Sequence, residues 1–530
     1  MVVILVNNRQ IDIDEQTAVG LSIATYDVTK PATPLVTISN KFSIPKTANN
    51  LAAIGFAGSS YYFSSLPYEP LYITIYVDGD ILLFNAKARV ETIGSRIELL
   101  IYQKYEAFDR MKVDKVINYT NDLLQFVGAH RQANKFAGTF TSFIAQYLNN
   151  NNGIIIPYTF STFYPDIEAI GTQVYKSNDT TTTECYGAHC FIFAKDFLKF
   201  VENKYSIDFH NGDNFLGNFF KDEYFASAII FLPFLIIKND SGFYFAAADE
   251  HNKIKDNSQA GSDLTFYSIF EAIVKMFNVC IDNNIDEGLN SYYLYRYDRI
   301  SEFAPLKDFS GNISKIVEFS PIIENIKQTN IIKYKAVPEG FSETYAGRTI
   351  ECKNKNIEAK GTLIEIPAFA FGFVNDNGIN IPNLSNSEAY SNPVIAILSV
   401  AKLSVLAKYE TNEVNVKCYI PVLYDLSNEY NILQIIYEYP QVFVIEKWLT
   451  LNDLKTFRNF ATYYVDLFGC SFIVSKIDNY NAVKRQPTKI TLVKVSDKTI
   501  TTPAQSHFFV DAVGNIFSDS VGQGFGYSSN

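Results

Sequence analysis

The stretch Cys185-Tyr-Gly-Ala-His189-Cys190 places three residues that bind transition metals within six positions. A tetrahedral zinc site usually draws its ligands from two such groups, and no second group lies nearby in the sequence. The spacing therefore favours reduced thiols in a loop over a zinc site. We expect the chain to bind no metal.

Carboxylates also cluster, most clearly in Asp282-Asn-Asn284-Ile-Asp286-Glu-Gly288, which resembles the start of a calcium-binding loop. The glycine comes one position too late for that loop, and Tyr293 stands where a bidentate glutamate is required. Two further groups, Asp208-Phe-His210 and Asp249-Glu250-His251, combine acids with two of the five histidines. Exposed turns and loops explain these three segments better than metal chelation.

The common catalytic signatures are missing from the sequence. It contains no Gly-x-Ser-x-Gly elbow, no phosphate-binding loop ending in Gly-Lys-Ser/Thr and no His-Glu-x-x-His motif. The paired carboxylates of a glycosidase leave no local signature, so that chemistry stays open. We expect a protein that is not an enzyme and that carries no cofactor.

The composition is that of a globular protein, with 47% hydrophobic residues among 530 and a net charge of −11. The acidic balance argues against a protein that grips nucleic acid, because such binding depends on Lys and Arg that neutralise phosphates. It does not exclude a wall along which nucleic acid slides. Six cysteines are too few for a disulfide scaffold, which favours folding in a reducing cytoplasm.

Membrane insertion and export are not indicated. The longest uncharged apolar stretches, residues 224–237 and 389–401, are shorter than the ~18 residues that cross a bilayer, and each contains a proline. The N-terminal run Val2–Val6 lacks the basic start and the longer apolar core of a secretory signal. We therefore expect no membrane span and no export by that route.

Residues 1–104 are predicted to form an N-terminal β domain. It begins with a hairpin around Asn7-Asn8, in which Ile11 and Ile13 alternate with Asp12 and Asp14 on the returning strand. A meander follows, because Asp-Gly between alternating strands is a strong hairpin signal; its strands lie at 72–77, 81–92 and 97–101, joined at Asp78-Gly79 and Gly94-Ser95.

Residues 105–260 are predicted to form an inserted module of mixed α and β structure. Its core segments are expected at 143–148, 193–200 and 226–237. Beyond it, an amphipathic helix is predicted over 264–278 behind Asp263 as the N-cap, because apolar residues recur there at helical spacing: Phe266, Ile269, Phe270, Ile273 and Phe277.

Residues 261–500 are predicted to form a second β domain that contains this helix and an inserted subdomain. Strands are expected at 292–297, 331–335, 349–353 and 361–373, a short helix at 452–457, and a hairpin of 472–477 with 490–495 around the loop 478–489. The patterns of 83–87 and 96–101 are echoed at 472–476 and 489–493, which leaves a domain duplication open. Residues 501–530 are predicted to be a C-terminal tail, whose last part, 514–530, orders only against a partner.

A family resemblance rests on several of these segments. The residues Phe42-Ser43-Ile44-Pro45-Lys46-Thr47-Ala48-Asn49-Asn50 ahead of the Asp78-Gly79 hairpin resemble the N-terminal part of tail hub or baseplate hub proteins of tailed bacteriophages, in particular of short-tailed crAss-like phages. The later segments 330–335, 448–454 and 477–495 fit the same family. The resemblance covers about the first hundred and the last two hundred residues.

The resemblance implies an α+β, mainly β fold, in which two tail-tube-like β-sandwich or barrel domains enclose an inserted mixed α/β module. It also implies a virion structural protein that forms a tail hub ring, lines the DNA channel and joins neck or portal-side proteins to the nozzle or fibres for genome delivery. The ring would be a hexamer, or a trimer with pseudo-sixfold symmetry. Genomic DNA would pass without specific binding, and assembly into the virion tail would take place in the host cytoplasm.

The expected interface or lumen residues are Lys46, Asn49, Asn50, Tyr76, Asp78, Gly79, Trp448 and Tyr480. The alternative is a receptor-binding tail fibre or a polysaccharide depolymerase, although the short periodicity of a β-helix is missing from the sequence. A bacterial surface or carbohydrate-binding protein would usually need an export signal.

Overall fold

The computed structural model is mainly β with few helices, which confirms the predicted fold class. It describes residues 2–14, 17, 20–24, 37–39, 42–55, 69–101, 106–119, 122–123, 126, 154–155, 159–164, 167–171, 175–177, 185–210, 219, 222–239, 242–247, 264–283, 291–299, 307–376, 379–384, 391–409, 412–455, 457, 461–481, 486–496, 507–508 and 526–527.

The strands in chain order are β1 Val2–Val6, β2 Arg9–Gln10, β3 Gly20–Ala24, β4 Thr37–Ser39, β5 Phe42–Pro45, β6 Leu71–Val77, β7 Asp80–Ile93, β8 Arg96–Ile101, β9 Ile154–Ile155, β10 Thr159–Tyr164, β11 Ile167–Gly171, β12 Tyr175–Ser177, β13 Cys185–Phe193, β14 Asp208–His210, β15 Ala228–Asn239, β16 Gly242–Ala247, β17 Val279–Asn283, β18 Ser291–Arg296, β19 Lys307–Asp308, β20 Ile313–Ser320, β21 Thr329–Ala336, β22 Arg348–Glu351, β23 Lys360–Phe369, β24 Gly372–Asp376, β25 Ile379–Asn383, β26 Val394–Tyr409, β27 Asn412–Leu423, β28 Val442–Lys447, β29 Thr462–Val465, β30 Cys470–Asn481, β31 Thr488–Ser496, β32 His507–Phe508 and β33 Gly526–Tyr527.

The α-helices are α1 Ala48–Ala53, α2 Glu106–Val113, α3 Ala194–Tyr205, α4 Glu223–Ala226, α5 Phe266–Met276, α6 Asn431–Glu438 and α7 Leu451–Lys455. Single 3₁₀ turns occur at Val116–Tyr119, Tyr297–Arg299, Leu426–Asn428 and Asp466–Phe468.

The first sheet contains six strands in the order β2-β1-β6-β7-β8-β5. Its consecutive strands β6, β7 and β8 confirm the predicted meander. Asp78 and Gly79 join β6 to β7 with φ angles of 53° and 92°, as the type I′ turn of an Asp-Gly hairpin requires. The buried side chains of β6 and β8 form one core with those of β1 and β5.

The first hairpin is shorter than predicted. β2 ends at Gln10, and after Ile11, whose backbone N–H still donates to the carbonyl of Ile4 at 3.0 Å, the chain leaves the ladder. Asp12 donates its backbone N–H to Asn50 Oδ1 at 2.7 Å, and its carbonyl accepts from Asn50 Nδ2 at 2.9 Å. A side-chain amide therefore takes the place of a strand partner, which the alternation of Ile11 and Ile13 did not reveal.

The second sheet contains eight strands, with β19-β29-β30-β31-β28-β20 along its main path, β3 attached to β30 and β4 attached to β3. The predicted hairpin is confirmed as β30 and β31, with longer strands and a shorter connection, residues 482–487. One face of this sheet covers a core of its own. On the other face, Ile473, Val493 and Val495 belong to the large core of the middle of the chain.

The two sheets share a connection that supports the domain duplication left open by the sequence. In the first, β5 is followed by the short helix α1 and the meander β6-β7-β8, and β8 pairs back onto β5. In the second, β28 is followed by α7 and the meander β29-β30-β31, and β31 pairs back onto β28. We call residues 42–101 the first meander unit and residues 442–496 the second. The wider domain boundaries at 104, 260 and 500 stay predictions.

The predicted amphipathic helix is confirmed as α5, whose apolar face lies in the largest core. Its N-cap is Thr265 and not Asp263. The Thr265 hydroxyl accepts from the backbone N–H of Ser268, and the Ser268 hydroxyl in turn accepts from the backbone N–H of Thr265. This reciprocal capping box satisfies two donors at once, which explains why the helix begins two residues later than the prediction.

Other predicted segments of the middle have mixed outcomes. The core segment 193–200 is mostly the helix α3, and 226–237 contains most of β15. The strands predicted at 292–297, 331–335 and 349–353 are confirmed as β18, β21 and β22, whereas 361–373 is divided between β23 and β24. Segment 143–148 lies outside the described residues. Of the C-terminal tail, the structure describes only the short antiparallel pair β32 and β33.

Candidate assembly interface

Each meander unit begins its helix with the same capping arrangement. Thr47 Oγ1 accepts from the backbone N–H of Asn50 at 3.1 Å, and Thr450 Oγ1 accepts from the backbone N–H of Asp453 at 3.1 Å. Leu51 packs into the first core, and its counterpart Leu454 packs into the second. The chain therefore repeats Thr-x-Asn-(Asn/Asp)-Leu after a strand, at 47–51 and 450–454.

The fourth residue of this motif differs between the units. Asp453 completes a local cap, because its carboxylate accepts from the backbone N–H of Thr450 at 2.7 Å. Asn50 is fully buried, and its side chain donates to the carbonyls of Asp12 and Pro45 at 2.9 and 2.8 Å. Asn50 thus ties the segment after β2 to α1, and its side chain is not available to a neighbouring molecule.

A second clamp holds the same segment. Arg96 donates from Nη1 and Nη2 to the two carboxylate oxygens of Asp14 at 2.6 and 2.9 Å, and from Nε to the hydroxyl of Ser43 at 2.6 Å. Hydrogen bonds from Arg96 and from Thr17 hold the pKa of Asp14 well below its usual range. The guanidinium group of Arg96 therefore links β8 to β5 and to Asp14 through paired hydrogen bonds.

The two units are joined by a strand that precedes the first unit in the chain and pairs with the second. β3 lies antiparallel to the end of β30, with Leu21 opposite Tyr480 and Ile23 opposite Ile477. β4 pairs with β3 and precedes β5 of the first unit. The hairpin β3-β4 thus extends the second sheet and leads directly into the first.

Apolar side chains reinforce this joint. Leu82, on β7 of the first unit, packs against the cores of both units. Leu451, the first residue of α7 in the second unit, packs against the core of the first. The contact between the units therefore combines backbone pairing with leucine side chains that each pack against the core of the other unit.

The hairpin tips of both units carry exposed apolar residues. Ile81 follows the exposed Asp78-Gly79 turn and is 43% exposed. In the second unit, Leu467 lies in the corresponding turn between β29 and β30 and is 61% exposed. Single exposed apolar residues are normal; Ile81 lies on the strand after its turn, and Leu467 lies within its turn.

The outer edge of the second sheet is strand β20, which pairs with β28. Six of its eight residues are exposed, and three are large and apolar: Ile316, Val317 and Phe319. The ring of Phe319 lies against that of Phe443, which contacts Phe468. Phe443 and Phe468 pack against the core of the second unit, so the exposed ring of Phe319 is in contact with that core through them. A long apolar edge strand is a template for pairing with another chain.

A buried cation fixes the start of β20. Lys447 donates from Nζ to the carbonyl of Phe309 at 3.0 Å and to that of Gly311. It also lies 4.5 Å from the centre of the Phe309 ring. Burial lowers the pKa of Lys447. Because Lys447 is the last residue of β28, it couples the loop 309–311 to the second meander unit.

The most deeply buried ionic group lies in the middle of the chain. Arg296 donates to Asp222 at 2.7 Å and to Glu429, and all three side chains are less than a tenth exposed. Burial raises the pKa of Glu429, against the lowering effect of Arg296, and the hydroxyl of Tyr424 also donates to this carboxylate. Both carboxylates pair with Arg296 inside the fold, so the group connects α4 with β18 and the start of α6.

The segments considered for metals have the following places. Residues 185–190 lie in strand β13, not in the predicted loop. Asp208-Phe-His210 is strand β14, and Asp282 belongs to β17, while 284–290 and 249–251 lie outside the described residues. Within the described part of the chain, no group of three or more His, Cys, Asp or Glu residues is arranged to hold a metal ion.

The expected interface residues differ in exposure and in the bonds that they make. Lys46 and the Asp78-Gly79 turn are exposed, Tyr76 is half-buried, and Tyr480 is buried in the core of the second unit. Asn49 donates to the carbonyl of Gln10 at 2.9 Å and accepts from Arg9. Trp448 is 46% exposed, and its backbone N–H donates to the carbonyl of Asn312 beside β20. Trp448 is therefore the predicted residue nearest in sequence and bonding to the exposed edge.

Among the described residues, no helix is both long and apolar enough to cross a membrane. No protein-family model matches the chain, and no curated protein matches it in sequence.

Three solved structures align along most of the chain. The 43 kDa tail protein of prophage MuSo2 from Shewanella oneidensis has a TM-score of 0.36 at 7% identity, covering 94% of this chain and 98% of that one. The prophage tail protein gp18 from Listeria monocytogenes EGD-e has a TM-score of 0.34 at 7% identity, covering 94% and 96%. The tail protein from Neisseria meningitidis MC58 has a TM-score of 0.33 at 8% identity, covering 94% and 97%. Likenesses of this degree carry no argument about function.

Proposed function

We propose that the chain is a structural protein of a phage tail, whose copies close into a hub ring around the DNA channel. The ring joins neck or portal-side proteins to the nozzle or fibres and serves genome delivery from the virion tail. No enzymatic step, metal or cofactor is part of this role. The segments 42–50, 330–335, 448–454 and 477–495, which resemble tail hub proteins, support it.

One observation carries the proposal: two units of the same topology are joined side by side by strand β3 on β30. If the joint between the first and second units recurs between the second unit and the next copy, every unit has the same orientation relative to its neighbour. When such a head-to-tail relation is repeated between copies, it generates a closed ring if the rotation closes. Two units per chain favour a trimer with pseudo-sixfold symmetry, and a hexamer of chains is the other arrangement.

The charge of the chain fits a conduit for DNA. With 56 acidic against 45 basic residues, the protein lacks the excess of cations that would hold phosphates by releasing counterions. A wall of this kind lets a polyanion pass without adhering. The proposal therefore expects weak DNA binding that no particular sequence improves.

The test is the mass of the purified full chain in solution. Light scattering after size exclusion should give three or six times the chain mass of 59.9 kDa. Fluorescence anisotropy with a labelled DNA duplex should give no binding at physiological salt. A monomer at every protein concentration, or tight binding to the duplex, would overturn the proposal.

A further inference from the structure

We infer that the outer edge of β20 pairs with the end of β7, residues 89–93, in a second copy of this chain. The inference rests on the proposed ring and names the strands that close it. It follows from the joint inside the chain, from the exposure of β20 and from the charges on the two strands.

The joint inside the chain supplies the geometry. In the second unit, β29 pairs with residues 470–473 of β30. β3 pairs with the later residues of the same strand, 476–481. In the first unit, β6 pairs with β7 as far as Ala88. The stretch Arg89 to Ile93 of β7 is therefore the counterpart of the part of β30 that receives β3.

β20 is placed to supply the strand. β3-β4 leads into β5, the first strand of the first unit, and β20 lies beside β28, the first strand of the second unit. We take the joint of the first unit with the second to recur between the second unit and the first unit of the next copy. In that joint, β20, beside β28, has the role of β3, and β7 of the next copy has the role of β30. An exposed apolar edge such as β20 is normally covered in a native protein.

The charges agree with an antiparallel pairing of these strands. β20 is bulged, because Lys315 and Glu318 lie opposite Glu446 and Val444 of β28, three residues against two. If Lys315 lies opposite Glu91, the same count brings Glu318 opposite Arg89. The side chains of Lys315 and Arg89 are 60% and 61% exposed, and within the chain Lys315 pairs with Glu446 at 3.3 Å and Arg89 with Glu91 at 2.5 Å. In the proposed pairing each cation gains a second carboxylate on the opposite strand. Ile316 and Val317 would then lie beside Val90.

Cysteine cross-linking of the assembled full chain tests the pairing. The double variant Glu318→Cys/Arg89→Cys should give, after mild oxidation, a ladder of covalent dimers and higher species on a non-reducing gel. Each single variant should remain a monomer on that gel. The matched control is Arg89→Cys with Lys360→Cys, since Lys360 is exposed on β23, outside both meander units; it should give no ladder.

The outcomes separate this inference from the proposed ring. An assembled wild-type protein whose double variant gives no ladder overturns the pairing of β20 with β7 and leaves the ring intact. Dimers from Glu318→Cys alone would mean that β20 pairs with β20 of another copy, which also overturns it. A wild-type chain that is monomeric by light scattering overturns both.

Discussion

Thr47 and Thr450 make the same hydrogen bond, at the same length of 3.1 Å, at the start of two short helices near opposite ends of the chain. Each helix follows the first strand of a meander unit and is followed by the other three. Their shared position makes the two units comparable residue by residue. It also identifies which features differ, such as Asn50 where the second unit has Asp453.

Removal of either cap should loosen only its own unit. Thr47→Ala and Thr450→Ala each remove the acceptor for a helix N-terminal N–H, which costs about 1 kcal/mol. Hydrogen exchange should accelerate in peptides covering α1 for the first variant and α7 for the second. Thr47→Ser and Thr450→Ser keep the hydroxyl and should exchange as the wild type does. Unchanged exchange in both alanine variants would mean that the caps do not hold these helices.

The Asp14–Arg96 clamp should give a stability effect with a defined pH dependence. The folded-state pKa of Asp14 is lowered, so its carboxylate adds to the free energy of unfolding. This addition is complete above about pH 5 and is lost as the pH falls, first through the unfolded-state pKa and then through the folded-state pKa. Asp14→Asn should therefore be less stable than the wild type at pH 7 in urea, and the gap should narrow below pH 5.

The double variant Asp14→Asn/Arg96→Met is the control for that clamp. Arg96→Met should cost less in the Asp14→Asn background than in the wild type, because the shared ion pair is already gone. A gap between Asp14→Asn and the wild type that stays constant down to pH 3 would show that the Asp14 carboxylate is not stabilised by folding.

Replacement of Arg296 should be among the most damaging single changes. Arg296→Met leaves the buried carboxylates of Asp222 and Glu429 without their cation, which costs about 3–5 kcal/mol. Burial raises the pKa of Glu429, and without Arg296 this pKa would rise further above its unfolded value, so the variant should regain stability as the pH is lowered from 8 to 5. Thermal unfolding at several pH values measures this.

The control for Arg296 is Glu429→Gln, which leaves the pair of Arg296 with Asp222 in place and should cost less. A variant Arg296→Met that is as stable as the wild type at pH 8 would show that the ionic group contributes nothing net.

Lys447 should control the order of the loop before β20. Lys447→Met removes the donor to the carbonyls of Phe309 and Gly311, at a cost of about 1–3 kcal/mol for buried groups left unsatisfied. Hydrogen exchange should accelerate in peptides covering 309–320. The exposed Lys335 is the control, since Lys335→Met should change stability by less than about 0.5 kcal/mol. Equal exchange in the two variants would contradict the anchoring role.

Local patterns in the sequence were sufficient for the strands that alternate and for the turns that need a positive φ. Asp78-Gly79 and the β30-β31 hairpin follow from residue types within a few positions of one another. Asp263 is predicted as the cap because Asp commonly takes that place. Thr265 is the cap in the structure because Ser268, three residues on, exchanges hydrogen bonds with it. The motif Thr-x-Asn-(Asn/Asp)-Leu at 47–51 and 450–454 was a visible signal of the repeat.

The features that join distant parts of the chain had no local signal. The pairing of Leu21 with Tyr480 depends on the order of whole sheets, and nothing near either residue in the sequence indicates it. The ionic group of Arg296, Asp222 and Glu429 is drawn from three separate segments. Asn50 is an expected interface or lumen residue within the segment 42–50 that resembles tail hub proteins, whereas in the structure its side chain donates to the backbone carbonyls of Asp12 and Pro45.

The most direct test of the central claim is negative-stain imaging of the purified full chain, with class averages computed without imposed symmetry. The proposed hub predicts rings with a central hole and six similar lobes around it, whether from three chains or six. Isolated particles without a hole, or elongated spikes such as a tail fibre would give, would contradict it.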